Sequence, residues 1–184
     1  VWKCRFFMHP KSLPQVGEER CVFLCNHRSF ADFLIDTYIT RGAFYLSRLL
    51  VILAIPVAAL LGWLLGSIVF FKRVRGTDKT ALYNKCLQKL ETNNLLVYPE
   101  GTRNTGPTSK PLTYGMIRFA YKNNIPVQIV MTTNKERVMN EKKLTVERGV
   151  KCVVNIGKVI RCQDSPDIDH WCKKIAAEWD RHWE

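Results

Sequence analysis

The sequence lacks the cysteine pairs that mark zinc sites and disulfide frameworks. Its seven cysteines are odd in number and widely spaced, and no two of them form a Cys-x-x-Cys pair. We therefore expect free thiols, no metal site, and an active site that faces a reducing compartment such as the cytosol.

Internal repeats, low-complexity segments and a recognisable signal or transit segment are also missing. The chain starts at Val1 rather than at a methionine, so we expect an N-terminal part to precede it. With 184 residues and 47% hydrophobic content, the chain can bury a core and is not a disordered tail. A single domain over residues 1–184 is predicted.

Acidic residues are scarce, since 16 Asp and Glu stand against 28 Lys and Arg and leave a net charge of +12. This balance favours anionic partners, namely nucleic acid, acidic lipid headgroups or phosphate-bearing metabolites. The basic residues are scattered rather than massed on one predicted helix, and no nucleic-acid-binding motif is present. We expect no nucleic-acid partner.

Strands and helices alternate along the chain. Strands are predicted at Val22–Cys25, Leu95–Tyr98 and Pro126–Met131, with one or two more between Val150 and Ile160. Helices are predicted from Ser29, from Thr77 or Asp78, around Tyr114–Tyr121, and from Ser165 to near the C-terminus. This order predicts an α/β fold, a mostly parallel or mixed sheet flanked by helices, with sites in the loops after strand ends.

Residues 49–71 form an uncharged run with Ser67 as its one polar side chain. The run is long enough to cross a bilayer, but a spanning helix would separate the polar groups near His27 from those near Glu100. One proline and two glycines interrupt it. We predict two short apolar helices that lead into a strand and associate with a membrane. A true span and an ordinary buried helix are the alternatives.

The segment Cys25–Asp32, CNHRSFAD, follows a predicted buried strand. A capping box formed by Ser29 and Asp32 is one interpretation, but it leaves Asn26 and His27 unexplained. Asp32 can also accept the imidazole N–H of His27 and fix its tautomer. The other ring nitrogen would then act as a general base.

Cys25 next to His27 also suggests a thiol nucleophile and a covalent intermediate. Strand alternation, however, sends Cys25 and Asn26 to opposite faces of the sheet. A cysteine within the apolar run VFLC is more typical of a small core residue.

A second polar cluster, Tyr98–Asn104, follows another predicted strand. Gly101 allows close approach of a ligand to the backbone, Thr102 offers a hydroxyl, and Arg103 offers the planar fork that suits a phosphate. A polar turn with a solvated arginine is the alternative. The cations at 72–75 are, in turn, typical of the positive flank of a membrane segment.

Four blocks resemble those of the glycerolipid acyltransferases, the family that includes lysophosphatidic acid acyltransferases. NHRSFAD resembles the Asn-His-x-Ser-x-x-Asp signature, whose His-x4-Asp is the catalytic motif. YPEGTR resembles the Phe-Pro-Glu-Gly-Thr-Arg block, with Tyr98 in place of the usual Phe. IVFFKR is similar to a block whose arginine, here Arg73, helps to bind phosphate, and NIPVQIV around Pro126 is similar to the fourth block. The blocks occur in the family's order within a core of about residues 22–131.

The resemblance implies a glycerol-3-phosphate acyltransferase-like fold with His27 as base and Asp32 as its orienting partner. It implies that the acceptor is bound by Arg73, Glu100, Gly101, Thr102 and Arg103, with Asn26, Ser29 and Pro126 in support. One departure is that Ser47–Leu50 replaces a Lys-x-Glu-Leu stretch found in the family and lacks its acid.

The implied activity is direct transfer of a fatty acyl group from a thioester to the hydroxyl of a lysophosphatidate or related glycerophospholipid, in phospholipid biosynthesis or remodelling. Acyl-CoA or acyl carrier protein would be the co-substrate, without a further cofactor. The implied location is a membrane surface, the endoplasmic reticulum in a eukaryote or the inner membrane in a bacterium. The alternatives are a thioesterase with the same base and a non-catalytic peripheral membrane module.

Overall fold

The computed structural model describes residues 3–49, 51–54, 56–71, 78–140, 143 and 145–183. Arg73 and the other cations of 72–75 lie outside these residues, so the phosphate-binding role of Arg73 stays a prediction.

Seven strands and seven α-helices form within the described residues. The strands are β1 (Arg5–Met8), β2 (Val22–Cys25), β3 (Phe44–Arg48), β4 (Ile68–Phe71), β5 (Leu95–Val97), β6 (Val127–Thr132) and β7 (Lys151–Ile160). The helices are α1 (Asp32–Ile39), α2 (Val51–Ala54), α3 (Pro56–Leu64), α4 (Thr80–Leu90), α5 (Gly115–Lys122), α6 (Lys135–Val138) and α7 (Ile168–Trp183).

The strands form one sheet in the order β1-β7-β6-β2-β5-β3-β4. The five strands from β6 to β4 are mutually parallel. β7 pairs antiparallel with β6, and β1 runs parallel to β7. The sheet is therefore mixed, and the predicted fold class is confirmed.

The alternation of side chains along each strand gives the sheet two buried faces. One face, with Leu24 and Ile129, packs against α4, α5 and α7, where Trp171 and Trp179 are fully buried. The other face, with Phe23, packs near the end of α1. Burial on both faces explains why the central strands are nearly continuous apolar runs.

Strand register brings the ends of β2, β5 and β6 to one edge of the sheet. Val22 pairs with both Leu95 and Val127. The loops that follow Cys25, Val97 and Thr132 therefore leave the sheet side by side, as expected for a site in a parallel sheet.

The apolar run forms two short helices followed by a strand, as predicted. α2 and α3 precede β4, and within the described chain no helix has both the length and the apolar character needed to cross a bilayer. Nor is the run an ordinary core helix, because Leu53 is 81% and Leu65 is 79% exposed.

Two strands were not predicted, and three helices begin two or three residues later than predicted: α1 at Asp32, α4 at Thr80 rather than Thr77 or Asp78, and α7 at Ile168 rather than Ser165. All four residues of β1 are exposed, so the strand has no alternating burial to signal it, and β3 mixes apolar and polar residues without strict alternation. α1 begins at Asp32 rather than Ser29, because residues 29–31 form a turn before it.

Candidate active site

Asn26 fixes the start of the loop that carries the predicted base. Its side-chain Oδ1 accepts the backbone N–H of Thr132 at 3.0 Å, and its Nδ2 donates to the Thr132 carbonyl at 3.1 Å. Asn26 therefore ties the end of β2 to the end of β6, and His27 follows directly from this anchored point.

The imidazole of His27 lies against the carboxylate of Asp32, with Nδ1 2.7 Å from Oδ2. The backbone N–H of Arg28 also donates to this oxygen, and the N–H of Ser29 donates to it at 3.0 Å. One oxygen atom of Asp32 therefore accepts from both the imidazole and the turn, but the predicted capping box is not formed, because the N-cap of α1 is Ala31 and makes no side-chain capping hydrogen bond.

Ser29 supports the same carboxylate. Its hydroxyl lies 3.3 Å from Asp32 Oδ1 and 3.1 Å from the Lys135 carbonyl, and it accepts the Ala31 N–H at 3.0 Å. The side chain is fully buried. It contributes to the packing and hydrogen bonding that hold Asp32 in place.

The surroundings of Asp32 determine the tautomer of His27. Burial by itself raises the pKa of the Asp32 carboxyl, but the Lys135 ammonium and the hydrogen bond from His27 outweigh it and lower that pKa. An ionised carboxylate can only accept, so Nδ1 carries the hydrogen and Nε2 keeps a lone pair. The His27 side chain is 16% exposed, so a substrate can reach it from solvent.

Two aromatic rings hold the imidazole plane. The Tyr98 ring stacks on it with centroids 4.3 Å apart and an interplanar angle of 23°, and the Phe33 ring lies 5.8 Å away. Phe33 in turn stacks on Tyr45 at 4.7 Å. These contacts restrict rotation of the His27 ring about its side-chain bonds.

Glu100 is buried inside the loop that follows β5 and holds that loop together. Its Oε1 accepts Asn104 Nδ2 at 2.7 Å and the Lys110 backbone N–H at 2.9 Å, and its Oε2 has no hydrogen-bond partner within the described residues. Asn104 also donates its backbone N–H to the His27 carbonyl at 2.6 Å. The loop is therefore anchored directly to the backbone of His27.

Thr102 and Arg103 lie on the exposed side of this loop. The guanidinium carbon of Arg103 is 4.5 Å from the centre of the Phe30 ring, which belongs to the block that contains His27. Gly101 adopts a φ of +67°, a conformation that favours glycine. The structure thus brings the block NHRSFAD next to the block YPEGTR, and it places the exposed guanidinium of Arg103 beside the block that contains His27.

Pro126 does not belong to this group of residues. Its carbonyl accepts the Val22 N–H at 3.0 Å, at the start of β2 and so at the opposite edge of the sheet. Any support from Pro126 is therefore indirect, through the alignment of β6 with β2. The thiol of Cys25 is buried in the core, and burial raises its pKa well above the ordinary value, which disfavours a thiolate nucleophile.

Three charged groups near the site were not predicted from the sequence. Lys135 and Asp36 are fully buried beside Asp32, and Arg48 at the end of β3 donates to the Gly101 carbonyl at 3.2 Å. The spacing of Asp32 and Asp36 by four residues was a usable signal, because two like charges on one helix face destabilise the helix unless a cation lies beside them. Lys135 lies beyond the last recognised block. Within the described residues, no group of His, Cys, Asp or Glu could hold a metal ion.

The mixed α/β sheet thus carries a His-Asp pair and an exposed cation at one edge. The model of the acyltransferase family matches residues 6–133, and the chain belongs to that family. The structure is also similar to that of the 1-acyl-sn-glycerophosphate (LPA) acyltransferase PlsC of Thermotoga maritima, with a TM-score of 0.71 and 17% identity over 97% of this chain and 70% of that one. At this identity the likeness concerns the fold. No curated protein sequence matches the chain.

We predict that Glu100→Ala loosens the loop of residues 100–110. The change removes the acceptor of the Asn104 and Lys110 hydrogen bonds, and a buried donor such as the Asn104 amide costs about 1–3 kcal/mol when it is left unsatisfied. Hydrogen–deuterium exchange should rise in this loop, whereas exchange after Thr102→Ala, at an exposed position, should match the parent protein. Unchanged exchange in Glu100→Ala would contradict the anchoring role.

Proposed function

We propose that the protein transfers a fatty acyl group from an acyl thioester to the hydroxyl of a lysophosphatidate or a related glycerophospholipid. The observation that carries the proposal is the 2.7 Å contact between His27 Nδ1 and the buried Asp32 carboxylate. Membership of the acyltransferase family supports acyl transfer as the reaction class. The donor, acyl-CoA or acyl carrier protein, and the acceptor are part of the proposal.

In the proposed step, Nε2 of His27 takes the proton of the acceptor hydroxyl while its oxygen attacks the thioester carbonyl. The tetrahedral oxyanion then collapses, the carbon–sulfur bond breaks, and the departing thiolate takes the proton from the imidazolium. General-base assistance contributes about 10²- to 10⁴-fold. The Asp32 carboxylate stabilises the transient positive charge on the ring.

Binding of the acceptor phosphate provides the second part of the proposed catalysis. Arg103 is exposed beside Phe30, and its planar guanidinium can pair with two phosphate oxygens. Arg73 is proposed to join it from outside the described residues. Fixing the phosphate positions the hydroxyl near Nε2, and such positioning can contribute more to rate than proton transfer does.

A membrane surface is the proposed location of the reaction. α3 exposes Val57, Leu60 and Leu64 by 71%, 56% and 65%, which is a large apolar surface on a helix too short to span. The net charge of +12 favours anionic headgroups. We therefore propose that α2 and α3 lie in the headgroup region, on the endoplasmic reticulum in a eukaryote or the inner membrane in a bacterium, with the site facing the cytosol.

The base is tested with purified protein, a labelled acyl-CoA and a panel of lyso-acceptors, with products identified by mass spectrometry. We predict that His27→Ala lowers the transfer rate by about 10²- to 10⁴-fold, the range of general-base catalysis, and that Asp32→Asn also lowers it because the tautomer is lost. Circular dichroism checks that both variants fold. Transfer by His27→Ala at the parent rate would contradict the proposal, and thioester hydrolysis that ignores the acceptor would instead indicate a thioesterase.

Arg103→Ala is predicted to raise the apparent KM for the phosphate-bearing acceptor by about tenfold or more, since hydrogen bonds to charged groups contribute about 1.5–3 kcal/mol. Hydrolysis of the thioester without acceptor should change little. Arg41→Ala is the matched control, because Arg41 is exposed but follows the far end of α1. Equal KM values in the two variants would remove Arg103 from the acceptor site.

Membrane association is tested by flotation with phosphatidylcholine vesicles, with and without phosphatidylglycerol. The double variant Leu60→Glu and Leu64→Glu places two charges on one exposed face of α3 and should abolish flotation. Leu13→Glu, at a 46% exposed residue bonded to β7, is the control and should float like the parent protein. Flotation of the double variant at the parent level would exclude α3 as the contact.

A further inference from the structure

A fully buried lysine lies behind the His-Asp pair. The Nζ of Lys135, the first residue of α6, donates to Asp36 Oδ2 at 2.7 Å, to Asp36 Oδ1 at 3.0 Å and to the Asn26 carbonyl at 2.5 Å. It also lies 3.9 Å from Asp32 Oδ1. A buried ammonium is tolerated only where it is paired and hydrogen-bonded in this way.

The titratable groups around Lys135 come from several elements. They are Asp32 and Asp36 of α1, Cys25 of β2, Cys152 of β7, Tyr98 after β5, and Glu136, which pairs with Arg28. Burial raises the pKa of the Cys25 thiol and the Tyr98 hydroxyl well above their ordinary values and that of Cys152 to about 11, so these three are neutral near pH 7.

Glu136 and Arg28 cancel each other's charge, so the charges that remain beside the imidazole are the carboxylates of Asp32 and Asp36 and the Lys135 ammonium. Burial, together with the neighbouring Asp32 carboxylate, raises the pKa of Asp36 to about 7, although the Lys135 ammonium and three hydrogen bonds, two from Lys135 and one from Tyr98, limit the rise. Asp36 is therefore ionised on the alkaline side of this value. With both carboxylates ionised, the group carries one net negative charge at rest. It becomes neutral when His27 takes a proton.

Asp36 and Lys135 are connected to the imidazole without occupying the exposed side of the site. The Tyr98 hydroxyl donates to Asp36 Oδ2 at 3.1 Å while its ring stacks on His27. Lys135 holds the carbonyl of Asn26, the residue before His27. The hydroxyl of Tyr98 is available for this contact because Tyr replaces the Phe usual in the resembling block.

We propose that Lys135 and Asp36 are a charge-balancing pair of positioning residues that keeps Asp32 directed at His27 and sets how strongly the imidazole holds a proton. The proposal rests on the proposed role of His27 as base. Without Asp36, the Lys135 ammonium would turn to Asp32, 3.9 Å away, and compete with His27 for that carboxylate. Without Lys135, two like charges would face each other in the interior.

The test is the dependence of kcat/KM on pH for four proteins: the parent, Asp36→Asn, the double variant Asp36→Asn with Lys135→Met, and Gln128→Met. In Asp36→Asn the group is neutral at rest and becomes positive on protonation of His27. The acidic limb should therefore move to lower pH by about one unit, and kcat should fall about tenfold with little change in acceptor KM. The double variant restores one net negative charge, so its acidic limb should return to the parent position.

Gln128→Met controls for the loss of a buried polar group. Gln128 is fully buried and bonds the Pro14 and Gly157 carbonyls near the opposite end of β6, so this variant should lower the melting temperature and leave the pH profile in place. Should Asp36→Asn fail to fold, Tyr98→Phe keeps the ring stack, removes one hydrogen bond to Asp36, and should move the limb in the same direction by less.

Two results would overturn the charge-balance proposal. One is an acidic limb at the parent position in both Asp36→Asn and Tyr98→Phe. The other is a double variant whose acidic limb lies at the position found for Asp36→Asn alone. Neither result would bear on His27 itself. The two proposals can therefore be tested independently. The role of His27 as base is contradicted only if His27→Ala remains active, and that result does not depend on the pH profiles of the other variants.

Discussion

The burial of one carboxylate, that of Asp32, is the constraint on which the site depends. Because Asp32 lies in the interior, its charge must be matched by donors, and the structure supplies the His27 imidazole and the backbone N–H groups of Arg28 and Ser29. The same donors fix the turn between β2 and α1. The local fold of the turn and the orientation of the His27 imidazole therefore have one common cause.

The parallel part of the sheet brings the remaining groups to this carboxylate. Residues far apart in sequence leave the sheet at neighbouring strand ends, and short polar contacts join them, such as the bond from the Asn104 N–H to the His27 carbonyl. The apolar helices α2 and α3 lead into β4, the edge strand of the sheet, whereas the site lies at the central strands β6, β2 and β5. An exposed apolar surface and a polar site thus occupy separate parts of one sheet.

Much of this arrangement could be predicted from the sequence, and the failures have physical causes. The buried central strands and the contact between His27 and Asp32 could be predicted, because both depend on residues that are close in sequence. A short apolar run indicates a buried strand, and a carboxylate five residues after a histidine can reach the imidazole across one turn. β1 was missed because an exposed edge strand has no burial pattern, and Lys135 because one lysine after a strand carries no signal until the fold surrounds it. The buried position of Glu100 was likewise set by partners four and ten residues further on.

The amide of Asn26 has a consequence for the variability of this position. By accepting from the N–H and donating to the C=O of Thr132, it imitates a peptide group and adds one rung to the β2–β6 ladder after β2 has ended. Aspartate would set a second oxygen against a carbonyl, and glutamine would carry the amide too far. The position thus demands one residue type for architectural reasons, and invariance there in a set of sequences would not by itself indicate contact with substrate.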